Sequence, residues 1–278
     1  MCRWLAYIGD HITMDRLVTQ PSHSLVEQSF DTEMNYKEDG SLWATNGDGF
    51  GIGWYNKKPE PGLYREAMPA WNDQNLHEIC AQTEAHIFLA HIRASTNGRV
   101  QRTNSHPFKY KNWLFQHNGD IDHFSEIKRT LQYDIAPDLY KEILGTTDSE
   151  TCFYLALTYG LEQDPKTALE KMIKRIEEVQ KQAGLEVGCN LSCALSDGEK
   201  VYTIRYASGD TLIKSQFYST DMSCVEDLSG ACSRLPEGAV IVVSEPLDNP
   251  GSKWVEVPEN SFMCIEKGNV IVHPLSLG

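Results

Sequence analysis

The sequence predicts an α+β protein with two stacked, mainly antiparallel sheets and helices outside them. Three observations carry this: apolar strand-like runs in the first half (4–9, 50–55, 85–93, 113–115), a second strand-rich block from Gly188 onward, and two helical stretches between them. The late strands are separated by Asp197-Gly198, Ser208-Gly209 and Lys267-Gly268-Asn269, turn signals that favour hairpins. No repeat, low-complexity segment or linker interrupts the 278 residues, so a single domain over 1–278 is expected.

In order along the chain, Trp4-Leu5-Ala6-Tyr7-Ile8-Gly9 reads as a strand, and residues 10–47 as polar, irregular loop with little core of their own. Asp48-Gly49-Phe50-Gly51-Ile52-Gly53-Trp54-Tyr55 reads as a buried strand beside a site, since alternating glycines weaken a strand unless something must approach it closely. Its spacing is not that of a P-loop, and no Lys-Ser pair follows. Leu76, Ile79 and Cys80 give a short helix over 73–84, and 85–93 is apolar at nearly every position, as in a strand covered on both faces. Trp113-Leu114-Phe115 is a further strand, ending in the turn signal Asn118-Gly119.

Residues 146–164 predict a helix opened by Thr147-Asp148-Ser149-Glu150, with Phe153, Ala156, Leu157 and Leu161 on one face. Asp164 caps the next, Pro165 occupies its first turn and Gly184 ends it. Its apolar stripe is Leu169, Met172, Ile173, Ile176 and Val179, and its solvated face offers the pairs Glu170/Lys174 and Glu177/Lys181. Strands are expected near 189–195, 200–206, 211–217, 239–243, 261–266 and 270–273.

With 25 Lys+Arg against 39 Asp+Glu, the net charge of −14 disfavours nucleic acid or an anionic membrane as partner. No signal-peptide pattern opens the chain, and no apolar run approaches the roughly 18 residues of a membrane span, so a cytoplasmic protein is expected. The eight cysteines include no C-x-x-C pair; seven read as core, with neither a disulfide framework nor a zinc site. Nine histidines lack metal-ligand spacing, so neither a metal nor another cofactor is expected.

Four features carry chemistry, each beside a plainer reading. If Met1 is removed, Cys2 bears a thiol and a free α-amine on adjacent carbons, with ordinary pKa values close enough for proton exchange near neutrality; otherwise it is an unprocessed second residue. Arg93, where a buried strand opens into a loop, suits a carboxylate ligand or a structural ion pair. Asn118-Gly119 offers two donors for an oxyanion, or is a sharp turn. Asp148 is a binding carboxylate or a helix cap.

Together with His91-Ile92-Arg93-Ala94-Ser95-Thr96-Asn97-Gly98, Asn104-Ser105-His106-Pro107, His117-Asn118-Gly119 and Thr147-Asp148-Ser149-Glu150, the Met1-Cys2 start resembles the class-II glutamine amidotransferases, of the N-terminal nucleophile hydrolase superfamily. The resemblance spans about residues 1–275. It implies a four-layer αββα sandwich. It makes Cys2 the nucleophile with its own α-amine as base, and the Asn118 side chain and Gly119 N–H the oxyanion hole. Arg93 would take the α-carboxylate of a glutamyl group and Asp148 its α-ammonium, with Thr96 and His117 also on the substrate. His91, His106 and His117 would support the site's turns by hydrogen bonds.

The glucosamine-phosphate synthase branch has Arg-Trp-Ala-Thr-His-Gly where this chain has Arg93-Ala94-Ser95-Thr96-Asn97-Gly98, and no synthase domain follows. Asp48-Gly49-Phe50-Gly51-Ile52-Gly53-Trp54, Ser244-Glu245-Pro246-Leu247 and Trp254-Val255-Glu256-Val257-Pro258 resemble the stand-alone branch that includes the ergothioneine-pathway γ-glutamyl hydrolase. The expected activity is hydrolysis of a γ-glutamyl amide, of glutamine or of a conjugate, through a thioester. The alternatives are a glutaminase subunit feeding a separate synthase and a non-catalytic glutamine sensor; a homodimer is compatible with either. Arg3, Trp43, Trp71, Trp254 and the 30–47 loop are available to shape the pocket for the departing amine.

Overall fold

The computed structural model describes residues 2–34, 45–95, 98–209, 211–219, 224–248 and 254–277. In chain order its strands are β1 (Arg3–Thr13), β2 (Phe50–Tyr55), β3 (Gly62–Glu66), β4 (Glu84–Ile92), β5 (Phe108–Tyr110), β6 (Trp113–Ile121), β7 (Cys189–Ser196), β8 (Val201–Ser208), β9 (Phe217–Ser219), β10 (Cys224–Glu226), β11 (Cys232–Arg234), β12 (Val240–Val243), β13 (Val255–Glu256), β14 (Ser261–Glu266) and β15 (Asn269–Pro274). The helices are α1 (Asp15–Val18), α2 (Leu25–Phe30), α3 (Gln74–Gln82), α4 (Phe124–Tyr133), α5 (Pro137–Tyr140), α6 (Asp148–Thr158) and α7 (Pro165–Gln182).

The strands form a seven-stranded sheet, ordered β13-β9-β12-β1-β4-β2-β3, and a six-stranded sheet, ordered β15-β14-β8-β7-β6-β5, with β10-β11 as a separate hairpin. The pairings within both sheets are antiparallel. Side-chain alternation builds the layers. On β1, Trp4, Ala6 and Ile8 face the second sheet and pack with Ile87, Leu89, Leu114, Ala194 and Met263. Leu5 and Tyr7 face the other way, with Phe88 and Ala90, against Leu17, Leu25 and Leu76 of α1–α3. Behind the second sheet, Phe115, Leu191 and Cys193 pack on Phe153, Leu169, Ile173 and Ile176 of α6 and α7. This is the αββα order the sequence predicted.

Several expectations are corrected. Residues 10–34 are not loop: β1 runs to Thr13, and α1 and α2 bury Leu17, Val18, Leu25 and Val26. Ser24 caps α2 by accepting the Glu27 N–H at 3.1 Å. The second predicted helix stops at Thr158, because Gly160 takes a left-handed turn (φ +99°). The pairs Glu170/Lys174 and Glu177/Lys181 give way to Lys166–Glu170 at 2.5 Å and to a Tyr206 hydroxyl donating to Glu177 at 2.5 Å.

The 211–217 strand starts only at Phe217. Ahead of it, side chains rather than a ladder take the backbone carbonyls: Asn190 holds Leu212 O, and Arg205 Nε reaches Lys214 O at 2.9 Å. Among the cysteines, Cys80, Cys152, Cys189 and Cys193 are buried as expected, whereas Cys264 is half-buried and Cys232 is exposed and disulfide-bonded. Among the described residues no helix is long and apolar enough to cross a membrane.

The glycines of β2 show why that strand can be so poor in side chains. A Cβ at Gly51 would press into the His106 carbonyl, and one at Gly53 would lie 2.7 Å from Leu114 Cδ1. The second sheet and the turn before β5 therefore close directly onto the β2 backbone, as the alternating glycines required.

Candidate active site

Cys2 immediately precedes β1, between the two partners that flank this strand, β4 and β12. Arg3 pairs with Ile92, which brings the half-buried Cys2 to the level of Arg93 and Ala94, and its Sγ lies 3.5 Å from Ala94 O. Burial pushes the thiols of Cys80, Cys152, Cys189 and Cys193 up, holding them protonated, and does the same to Cys264.

Arg93 is 3% exposed. Its Nη1 donates to Asp48 O (3.3 Å) and Arg99 O (3.4 Å), and its Nη2 to Ser95 Oγ (2.9 Å). The loop is pinned from the other side, where the Asp48 carboxylate accepts the Ser95 N–H at 2.8 Å. A Cβ on Gly98 (φ +86°) would sit 3.8 Å from Arg93 Nη2, so the guanidinium stands beside this glycine. Gly98 in turn lines a cavity of about 450 Å³ with Asp120, Ile121, Thr146, Thr147 and Asp148. Asp148 thus lines this space, and the Arg93 guanidinium lies next to Gly98, another of its lining residues. Thr96 lies outside the described residues.

Asn118 and Gly119 do not form a turn. Both lie within β6, opposite Ser192 and Leu191 of β7. Gly119 is required there, because its φ is +151° and a Cβ would collide with the Asn190 carbonyl. Two cross-sheet bonds set its level: Gln116 Nε2 donates to Leu5 O at 2.9 Å, and His91 Nε2 meets His117 O at 3.1 Å, with His91 paired to Trp4. Moving along β6 from Gln116 to Asn118 therefore runs along β1 from Leu5 toward Cys2.

Asp148 sits at the start of α6, whose true cap is Thr147, with its hydroxyl accepting the Glu150 N–H at 3.2 Å. Its Oδ2 accepts the Ile121 N–H at 3.1 Å and its Oδ1 the Ser149 N–H at 2.7 Å. His117 is buried on the helix side of β6, with Nδ1 2.9 Å from Ser149 Oγ and Nε2 3.0 Å from Asn190 O. A carbonyl can only accept, so Nε2 carries a proton, while the Ser149 hydroxyl beside Nδ1 also donates to Asp148 Oδ1 at 3.2 Å. His117 therefore orients the strand behind Asn118. The His91 and His106 rings lie 4.1 Å apart, tilted by 35° to each other. Burial first, and for both the nearby Arg93 charge, hold them neutral, His91 at about 3.

Two acidic residues beside the site were not singled out from the sequence. Asp120, in the same cavity, is pushed up chiefly by burial, against the pull of Lys214. Its position two residues after Asn118 on β6 was the available signal. Glu245 is 2% exposed and meets Arg3 Nε at 2.6 Å. Only the quoted Ser244-Glu245-Pro246-Leu247 motif pointed to it.

The family model for class-II glutamine amidotransferases matches residues 14–276. The chain belongs to the class-II glutamine amidotransferases. This class-II amidotransferase is 35% identical to the probable glutamine amidotransferase DUG3 of Saccharomyces cerevisiae, over 99% of this chain and 84% of that one. It is 25% identical to the gamma-glutamyl-hercynylcysteine sulfoxide hydrolase of Mycolicibacterium smegmatis, over 99% and 100% of the two chains. Among solved structures, a glutamine aminotransferase class-II domain protein from Silicibacter pomeroyi superposes with a TM-score of 0.70 at 28% identity, covering 99% of each chain.

Proposed function

We propose that this class-II amidotransferase hydrolyses a γ-glutamyl amide bond with Cys2 as nucleophile, releasing glutamate and an amine. The observation that carries it is the pairing of Arg3 with Ile92, which sets the half-buried Cys2 thiol beside the exit of the strand that delivers Arg93. A γ-glutamyl group is a zwitterion at one end and an amide at the other. Arg93 serves its α-carboxylate and Asp148 its α-ammonium.

With Met1 removed, the Cys2 α-amine takes the thiol proton, and sulfur adds to the γ-carbonyl. The oxyanion is received by the Asn118 amide and the Gly119 N–H. Collapse expels the amine, which leaves with the proton held by the α-amine, and a thioester remains. Water then adds to the thioester carbonyl, sulfur leaves, and glutamate and free Cys2 are regenerated. No metal or other cofactor enters these steps, and the whole chain acts as one catalytic domain. The match to a γ-glutamyl conjugate hydrolase over the full length of both chains supports a conjugate as substrate, ahead of ammonia supply to a separate synthase.

Cys2→Ala tests the reading: it is expected to fold with an unchanged melting temperature, to bind glutamate and to release none from γ-glutamyl substrates. Retained hydrolysis, or fully active protein whose N-terminal sequence begins at Met1, would refute it.

A further inference from the structure

Glu245 lies just beyond β12, and among the described residues its carboxylate meets partners from the N-terminal part of the chain. Oε2 accepts from Arg3 Nε at 2.6 Å and from the Met34 N–H at 3.2 Å. Oε1 accepts from the Glu33 N–H at 2.8 Å and lies 2.6 Å from His23 Nε2. Burial alone would raise this carboxyl; the His23 hydrogen bond and then the Arg3 charge outweigh it and hold it at about 2. It is thus a buried anion with both oxygens engaged.

Arg3 passes this anchoring on. Its Nη1 donates to the Cys2 carbonyl at 3.0 Å, so one guanidinium spans Glu245 and the residue bearing the thiol. The neighbouring Ser244 fastens the next residue: its Oγ accepts the Trp4 N–H at 2.9 Å, and its N–H donates to Trp4 O at 3.0 Å. A chain end normally frays unless something ties it down. Here the ties come from Ser244 and Glu245, immediately after the last β1–β12 register pair, Leu5–Val243.

We propose that Glu245 is the positioning residue of the N-terminal nucleophile: through Arg3 it fixes the Cys2 carbonyl, and with the same two oxygens it locks the Glu33-Met34 backbone to that anchor. The proposal rests on Cys2 being the nucleophile. Glu245 itself touches no reacting atom. Its effect is on the placement of Cys2, where a displacement of about 1 Å costs up to about 100-fold in rate. A shorter carboxylate cannot reach Arg3 and both amides at once, whereas an amide side chain leaves the Arg3 charge without its anion.

The test uses full-length Glu245→Asp and Glu245→Gln beside wild type and Cys2→Ala. Turnover is measured with L-glutamine, and labelling of Cys2 by a γ-glutamyl diazoketone is followed by peptide mass spectrometry. Both Glu245 variants are expected to lower kcat, and to slow labelling, by about 10- to 100-fold, with KM within about threefold because Arg93 and Asp148 are untouched. Glu245→Asp, which keeps a negative charge opposite Arg3, decides the matter if Glu245→Gln does not fold. Folded Glu245→Asp with wild-type kcat and labelling rate, or a change confined to KM, overturns the proposal. Activity in Cys2→Ala would instead overturn the nucleophile assignment on which it rests.

Discussion

Asp148 Oδ2 accepts the Ile121 N–H at 3.1 Å, so the start of α6 and the end of β6 are joined by one carboxylate. Asparagine at this position keeps an oxygen for that amide but gives up the charge and the Ser149 N–H bond to Oδ1. Asp148→Asn is therefore expected to cost about 1–2 kcal/mol of stability while raising KM for a γ-glutamyl substrate about 10-fold or more. Thermal melts and steady-state kinetics on one preparation separate the two effects; an unchanged KM removes Asp148 from the substrate.

Gly119 faces the Asn190 carbonyl with no room for a Cβ, in a backbone conformation that disfavours side chains. Gly119→Ala must push β6 away from β7 and is expected to cost about 2–4 kcal/mol. Urea unfolding would show this as a lowered midpoint with an unchanged slope, and a wild-type midpoint would contradict the packing described.

The Ser24 hydroxyl caps α2 at 3.1 Å from the Glu27 amide. Ser24→Ala is expected to lower stability by about 1 kcal/mol, with Ser24→Gly closer to wild type. Equal losses in both variants would assign the effect to something other than the cap.

His91 ordinarily titrates at 6.5 and is held at about 3 by burial. Between these values the unfolded chain binds more protons than the folded one, so stability falls as pH drops below 6.5. His91 contributes a slope of up to about 1.4 kcal/mol per pH unit, and His106, shifted the same way, adds to it. Glu245 acts in the same direction lower down, from its ordinary 4.5 to about 2. Denaturation at stepped pH should therefore show loss beginning near 6.5; a flat profile from 6.5 to 4.5 would mean that the two imidazoles are protonated in the folded state.

The elements legible in the sequence are those whose pattern is local. The 85–93 run is apolar at most positions because β4 is covered on both faces, and the stripe of α7 follows helical spacing. Ser24 followed by Glu27 was an equally local signal for α2, masked by the polar residues around it. The Asn118-Gly119 pair misleads for a physical reason: it has the chemistry of a turn, yet here the glycine serves the close passage of Asn190. Glu245 was beyond local reading, since its partners lie 211 to 242 positions away.

The pairing of β1 with β12 also has a consequence for how the protein is made. The Trp4–Ser244 bonds close a loop of 240 positions, so the strand leading from Cys2 gains its second neighbour only when nearly the whole chain has left the ribosome. Until then β1 is a sheet edge, with its main-chain groups open to stray pairing. Contacts this distant in sequence also slow folding. Nascent chains halted before Val240 would hold β4 and lack β12, leaving Cys2 without the strand that leads to its anchor.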